Sequence, residues 1–147
     1  MNRPAVVRPP RLGPPARVAV ISPSSPAAYR FPERARGACA RLSAALDLEV
    51  MPPDPATPAS YRAFRPEQVA QQLHALFADP TVGLVIAAVG GFNTNAVLAH
   101  LDWDLICRHP THLCGYSDTT ALLLAVHART GQMVLHGPAL MPQWGDP

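Results

Sequence analysis

A serine at position 117 follows a short segment with strand character, residues 111–115, and precedes an almost wholly apolar stretch, residues 119–130. Its hydroxyl therefore sits where a predicted strand turns into a predicted helix. That placement projects the side chain from a tight turn while the helix N-terminus faces the reaction centre, which is the arrangement of a nucleophile elbow. The backbone N–H of Asp118 is then one donor to a tetrahedral oxyanion, and an N–H of the Gly90-Gly91 turn is a candidate second donor. Glycine lacks a Cβ, so substrate can approach that backbone closely. The competing reading is an ordinary turn in which Ser117 or Asp118 caps the following helix, because a single strand-Gly-x-Ser-helix turn is a weak motif.

Other polar side chains are weaker candidates. His136 lies at the end of a predicted strand beside the Ser117 turn and is the only histidine placed to act as a base, although lining a substrate fits it better, since a Ser-His pair alone lacks an orienting carboxylate. His74 and His127 fall on helices, and His100, His109 and His112 flank loops without metal-ligand spacing. Asp102 and Asp104 stand two apart on a helix, where side chains do not converge, so helix capping is the expectation. Asn93 and Asn95 either contact substrate or cap the short helix after the glycines.

The elements that must position these residues alternate along the chain. Residues 18–21 form an apolar strand ended by Ser22-Pro23-Ser24-Ser25-Pro26, and after Pro32 the positions Ala35, Cys39, Leu42 and Leu46 repeat at helical spacing. Residues 48–51 make a second strand, followed by a loop holding Pro52, Pro53, Pro55 and Pro58. Pro66 starts a helix whose Val69 is spaced to pack against Phe64. The run 84–89 has no polar alternation and reads as a central parallel strand covered on both faces. A strand over 111–115, an apolar helix over 119–130 stopped by Gly131, and a last strand over 133–135 complete an α/β pattern, a parallel sheet flanked by helices. In such a sheet ligands bind beyond the carboxyl ends of the strands, so residues 22–25, 90–95, 115–118 and 136–138 are expected on one rim.

Composition removes whole classes of chemistry. All 12 basic residues are Arg, so a P-loop lysine, a Schiff-base lysine and a Ser-Lys dyad are impossible. The formal charge of +2 is too small for a nucleic-acid or membrane-surface footprint. Cys39, Cys107 and Cys114 have neither disulfide-framework nor zinc spacing, and no run is long enough to cross a bilayer. A cytoplasmic protein without metal or cofactor is expected. Residues 1–16, rich in Pro and Arg, are expected to be a disordered tail, leaving residues 17–147 as one nucleophile-bearing α/β domain.

The run Gly115-Tyr116-Ser117-Asp118-Thr119-Thr120-Ala121-Leu122, followed by Thr130-Gly131 and His136-Gly137-Pro138-Ala139, resembles the LD-carboxypeptidase family of serine peptidases. Residues 18–26, the glycine pair and Leu101-Asp102-Trp103-Asp104 are similar to that family in the same order. Val89 before the glycines and Phe92-Asn93-Thr94-Asn95 after them look more like its microcin C self-immunity branch than its murein-recycling members. The resemblance implies a flavodoxin-like or class I glutamine-amidotransferase-like N-terminal domain. It implies Ser117 as nucleophile, the amides of Gly91 and Asp118 as oxyanion donors, and Gly90, Asn93, Asn95 and His136 lining the substrate. The implied substrate is a small peptide or peptidyl-nucleotide.

That family completes its triad with a Glu and a His from a downstream domain, whereas the 30 residues after Ser117 contain no Glu. The expectation is a truncated chain lacking the C-terminal domain, inactive alone and either homodimeric or dependent on a complementing domain. A non-catalytic peptide- or nucleotide-binding module on the same fold is the rival, and a flavodoxin-like nucleotide binder is weaker because no Gly-x-Gly-x-x-Gly follows the first strand.

Overall fold

The structure, a computed structural model, describes residues 4–53, 58–60 and 64–146. Pro55, counted above among the loop prolines, and residues 1–3 of the N-terminal stretch lie outside the described residues.

Five strands form one parallel sheet in the order β2-β1-β3-β4-β5: β1 Arg17–Ile21, β2 Val50–Met51, β3 Val82–Ala87, β4 His112–Gly115 and β5 Leu135–His136. Parallel neighbours need crossover connections, and helices supply them. They are α1 Ala27–Arg30, α2 Pro32–Leu46, α3 Pro66–Ala78, α4 Thr94–Val97, α5 Trp103–Arg108 and α6 Thr120–Thr130, with α7 Leu140–Trp144 after β5. Because side chains alternate across a strand, Val18 and Val20 of β1 enter one core layer with Ala35, Ala38 and Leu42 of α2. Ala19 and Ile21 enter the opposite layer with Leu73 and Phe77 of α3 and Leu122 and Val126 of α6. The central strand reads as an unbroken apolar run for this reason: Leu84 and Ile86 fill one layer, Val85 fills the other, and all three are buried.

Local signals hold at several ends. Pro66 opens α3, with Phe64 and Val69 both buried at its start, and Gly131 ends α6 in the left-handed region at φ 73°. Other expectations shift. The second strand shortens from 48–51 to Val50–Met51, because Leu48 is tied to the end of α2 by its N–H to the Ser43 carbonyl (3.4 Å) and by the Ser43 hydroxyl on its own carbonyl (2.6 Å). The central strand runs Val82–Ala87 rather than 84–89. The last strand moves from 133–135 to Leu135–His136, because the Met133 N–H is taken by the Val7 carbonyl at 2.8 Å and pairing with β4 begins only at Cys114 and Leu135.

Residues 4–16, expected in the tail, run along the body: the Val7 N–H reaches the Gly131 carbonyl at 2.9 Å, Pro9 is buried, and His112 Nε2 meets the Pro10 carbonyl at 2.8 Å. The segment after Pro138 also packs on the body. It folds as α7 against α2, with Leu140 and Met141 buried and the Arg41 guanidinium donating to the Trp144 carbonyl at 2.6 Å. Helix α6 is not apolar and buried all round; Leu122, Leu123 and Val126 are inside while Leu124 is 61% exposed. Among the described residues no helix is long and apolar enough to cross a membrane.

Candidate active site

The strand order puts a switch point between β1 and β3, whose following connections leave toward opposite sides and open a crevice at the carboxyl ends. The segments after β1, β3 and β4 converge there. Gly91 packs so closely on the β1 loop that a Cβ on it would lie 2.5 Å from the Ser24 carbonyl oxygen. Gly90 lies against the β4 turn, where a Cβ would lie 2.9 Å from both Cβ and Oγ of Ser117. Side chains at 90 and 91 are therefore excluded by contact, and both φ angles stay out of the positive region. The segment after β5 joins the same rim through the Gly137 N–H on the Gly115 carbonyl (3.0 Å) and the Cys114 thiol on the Pro138 carbonyl (3.4 Å).

Ser117 begins a 3₁₀ turn, Ser117–Thr119, that feeds α6, and its φ is 60°. A left-handed conformation costs an L-residue with a Cβ roughly 1–2 kcal/mol. The β4-to-α6 turn thus holds this residue in a conformation that a simple helix start does not need. Its side chain is exposed, and neither it nor Asp118 caps the helix, so the capping alternative is not what these side chains do.

The Asp118 carboxylate turns to the glycine-turn side. One oxygen, Oδ2, accepts both the Thr94 N–H (2.9 Å) and the Thr94 hydroxyl (2.7 Å). The Thr94 and Ser24 hydroxyls are hydrogen-bonded to each other, and Thr119 Oγ1 lies 3.4 Å from Ser24 Oγ. Burial works to raise the Asp118 carboxyl, but bonds from the Thr94 hydroxyl and N–H, with Ser24 and the Asn93 backbone, outweigh it and hold the group below the usual carboxylate range. These buried hydroxyls were not singled out from sequence. Ser24, Thr94 and Thr119 are each at most 1% exposed, yet single hydroxyls in a loop and at two short helical starts carry no periodicity, and only their common place on the rim links them.

The remaining candidates divide. His136 pairs in register with Gly115 and, exposed, lines an open cavity of about 370 Å³ with Tyr116, Gly137, Pro138 and Gln143. Among the described residues no histidine ring is hydrogen-bonded to the Ser117 hydroxyl. His74 instead accepts the Asp102 N–H at 2.8 Å, and His127 Nδ1 meets the Gln132 carbonyl at 2.9 Å. Asn93 stands at the start of α4 without capping it by its side chain, and Asn95 is exposed on that helix. Asp102 caps α5 through the Leu105 N–H at 2.9 Å, whereas Asp104 lies in that helix's first turn. Among the described residues no three His, Cys, Asp or Glu side chains gather as a metal site.

Residues 18–137 match the family described as LD-carboxypeptidase N-terminal domain. The microcin C7 self-immunity protein MccF of Escherichia coli is 40% identical over 86 residues, 58% of this chain and 25% of that protein. The probable murein peptide carboxypeptidase of Bacillus subtilis (strain 168) is 40% identical over 85 residues, 58% of this chain and 27% of that protein. Solved MccF in complex with aspartyl sulfamoyl adenosine superposes with a TM-score of 0.85 at 29% identity, covering 98% of this chain and 42% of that one. The same values hold for an MccF active-site variant in which a serine, an asparagine and a lysine are replaced by alanine. The matched region thus spans about a quarter of the two curated relatives and 42% of the solved chain.

Proposed function

The chain belongs to the LD-carboxypeptidase family, and on that premise we propose that it carries the nucleophile of a serine carboxypeptidase or amidase, Ser117, in the manner of the microcin C self-immunity branch. The observation that carries this reading is the left-handed Ser117, held on a strand-to-helix turn with Gly90 flush against its hydroxyl. In the proposed reaction Oγ attacks the carbonyl carbon of the scissile bond and its proton passes to a general base. The amides of Gly91 and Asp118 hold the oxygen that gains the negative charge. The bond to the leaving group breaks as that group takes the proton, and water then releases the acyl group from Ser117.

Gly90, Asn93, Asn95 and His136 line the substrate in this reading. Val89 before the glycines, Phe92-Asn93-Thr94-Asn95 after them and likeness to a protein solved with aspartyl sulfamoyl adenosine favour a peptidyl-nucleotide, cleaved after its aspartyl group, over a murein LD-peptide. In this reading the general base comes from a complementing C-terminal domain, since no histidine ring among the described residues is bonded to the Ser117 hydroxyl. MccF's active site includes a lysine, and this sequence contains no lysine, which supports a site completed elsewhere. The reaction has no metal or cofactor, and the protein acts in the cytoplasm.

Hydrolysis of an aspartyl-nucleotide conjugate and of an LD-linked muropeptide, followed by chromatography, tests the reading. The chain alone is expected to give no turnover, and addition of the C-terminal domain of a longer relative should produce cleavage of the conjugate that Ser117→Ala abolishes. Turnover by the chain alone that Ser117→Ala removes would place the base inside it. Binding without turnover, even with the complement, is the outcome for a non-catalytic module.

A further inference from the structure

Two glycines give the turn after β3 no side chains of its own with which to hold a fixed distance from the nucleophile. Its position is set by neighbours: the Ser24 carbonyl on one side, Ser117 on the other, and Thr94 just beyond it. Thr94 is fully buried, and both of its donors go to one oxygen of the residue that follows Ser117 in the chain.

We propose that the Asp118 carboxylate and Thr94 form a clamp that positions the Gly90-Gly91 turn against Ser117, so that Asp118 serves the site twice, by its amide and, separately, by its side chain. The proposal rests on Ser117 being the nucleophile. Since Ser117 and Asp118 are adjacent, fixing the carboxylate on Thr94 fixes the chain three residues after Gly91 relative to the attacking oxygen. Ser24 extends the clamp to the β1 loop through its hydroxyl bond to Thr94. Directing the carboxylate into these donors also keeps a negative side chain off the oxygen that must gain charge. The groups facing it are uncharged: Thr94 and Asn93 from the glycine-turn side and Ser24 from the β1 loop. Thr94 and Asp118 act through the turn and are positioning residues in this role. Misplacing a catalytic group by about 1 Å can cost about a hundredfold in rate, which is the scale of effect available to such a clamp.

Solution NMR of this chain tests the clamp without requiring turnover. On acidification the amide signals of Gly90, Gly91, Thr94 and Ser117 are expected to move together with the Asp118 carboxyl, at a midpoint below the ordinary aspartate value of ~3.9. Thr94→Ser, which keeps the hydroxyl, should preserve that coupling, while Thr94→Val should uncouple Gly90 and Gly91 and raise the Asp118 midpoint. At neutral pH, Asp118→Asn should displace the Gly90, Gly91 and Ser117 amides and leave those of β3 in place. Gly90 and Gly91 signals indifferent to Asp118 titration and to Asp118→Asn, or coupled as strongly in Thr94→Val as in the parent chain, would overturn the clamp. The coupling does not pass through the Ser117 hydroxyl and should persist in Ser117→Ala. Activity retained in that variant of a complemented enzyme would therefore overturn the nucleophile reading and leave the clamp standing.

Discussion

At the scale of single residues, the two glycines are not equivalent. A Cβ at Gly91 would meet backbone, the Ser24 carbonyl oxygen at 2.5 Å, whereas one at Gly90 would meet Cβ and Oγ of Ser117 at 2.9 Å, a milder overlap of which rotation clears the oxygen but not Cβ. Gly91→Ala should therefore destabilise the fold by about 1–3 kcal/mol, the usual cost of overpacking, and Gly90→Ala by less than Gly91→Ala; urea unfolding monitored by circular dichroism would rank them. The lowered Asp118 carboxyl has a pH signature of its own. Because its folded pKa lies below the unfolded one, the stabilisation is fully present above the ordinary aspartate value of ~3.9 and is lost as pH falls through the folded value. Asp118→Asn should flatten that acid limb of stability, and an unchanged limb in urea midpoints between pH 5 and 2.5 would remove Asp118 from its cause.

At the scale of elements, α7 is the addition that the Pro138 to Trp144 sequence did not announce. Its five residues give too short a period to detect, and Pro142 within it reads as a breaker. It is held by burial: Leu140 is fully enclosed, so Leu140→Ala should cost about 2–5 kcal/mol, visible as a lower urea midpoint. The longer elements were legible because period and punctuation agreed, as with Pro66 opening α3 and Gly131 closing α6. The short edge strands were misplaced by a few residues because competing bonds decided them, from Ser43 at Leu48 and from Val7 at Met133. The strand-to-helix serine and the glycine pair were legible in the site through the chemistry of turns. Thr94 was not singled out, since its contact with Asp118 joins residues 24 apart in the chain and leaves no local trace.

At the scale of the whole molecule, the sheet ends at β5, a two-residue edge strand whose Leu135 is 47% exposed, with Met133 at 45% and Leu124 at 61% on neighbouring segments. A sheet edge with exposed apolar side chains around it is a surface that invites another chain. Self-association or capture of a complementing domain is expected, and light scattering across a dilution series should detect the former. Leu135→Lys should shift the population toward monomer, and a dilution-resistant monomer for the parent chain would count against an exposed interface. The same architecture governs when the site comes into being. The hydroxyl contact between Ser24 and Thr94 spans 70 residues, and the carboxylate of Asp118 then closes on Thr94 from a third crossover. Ser24 and Thr94 both precede Asp118 in the chain, so these contacts can close only once the last of the three segments has been made and docked on the sheet.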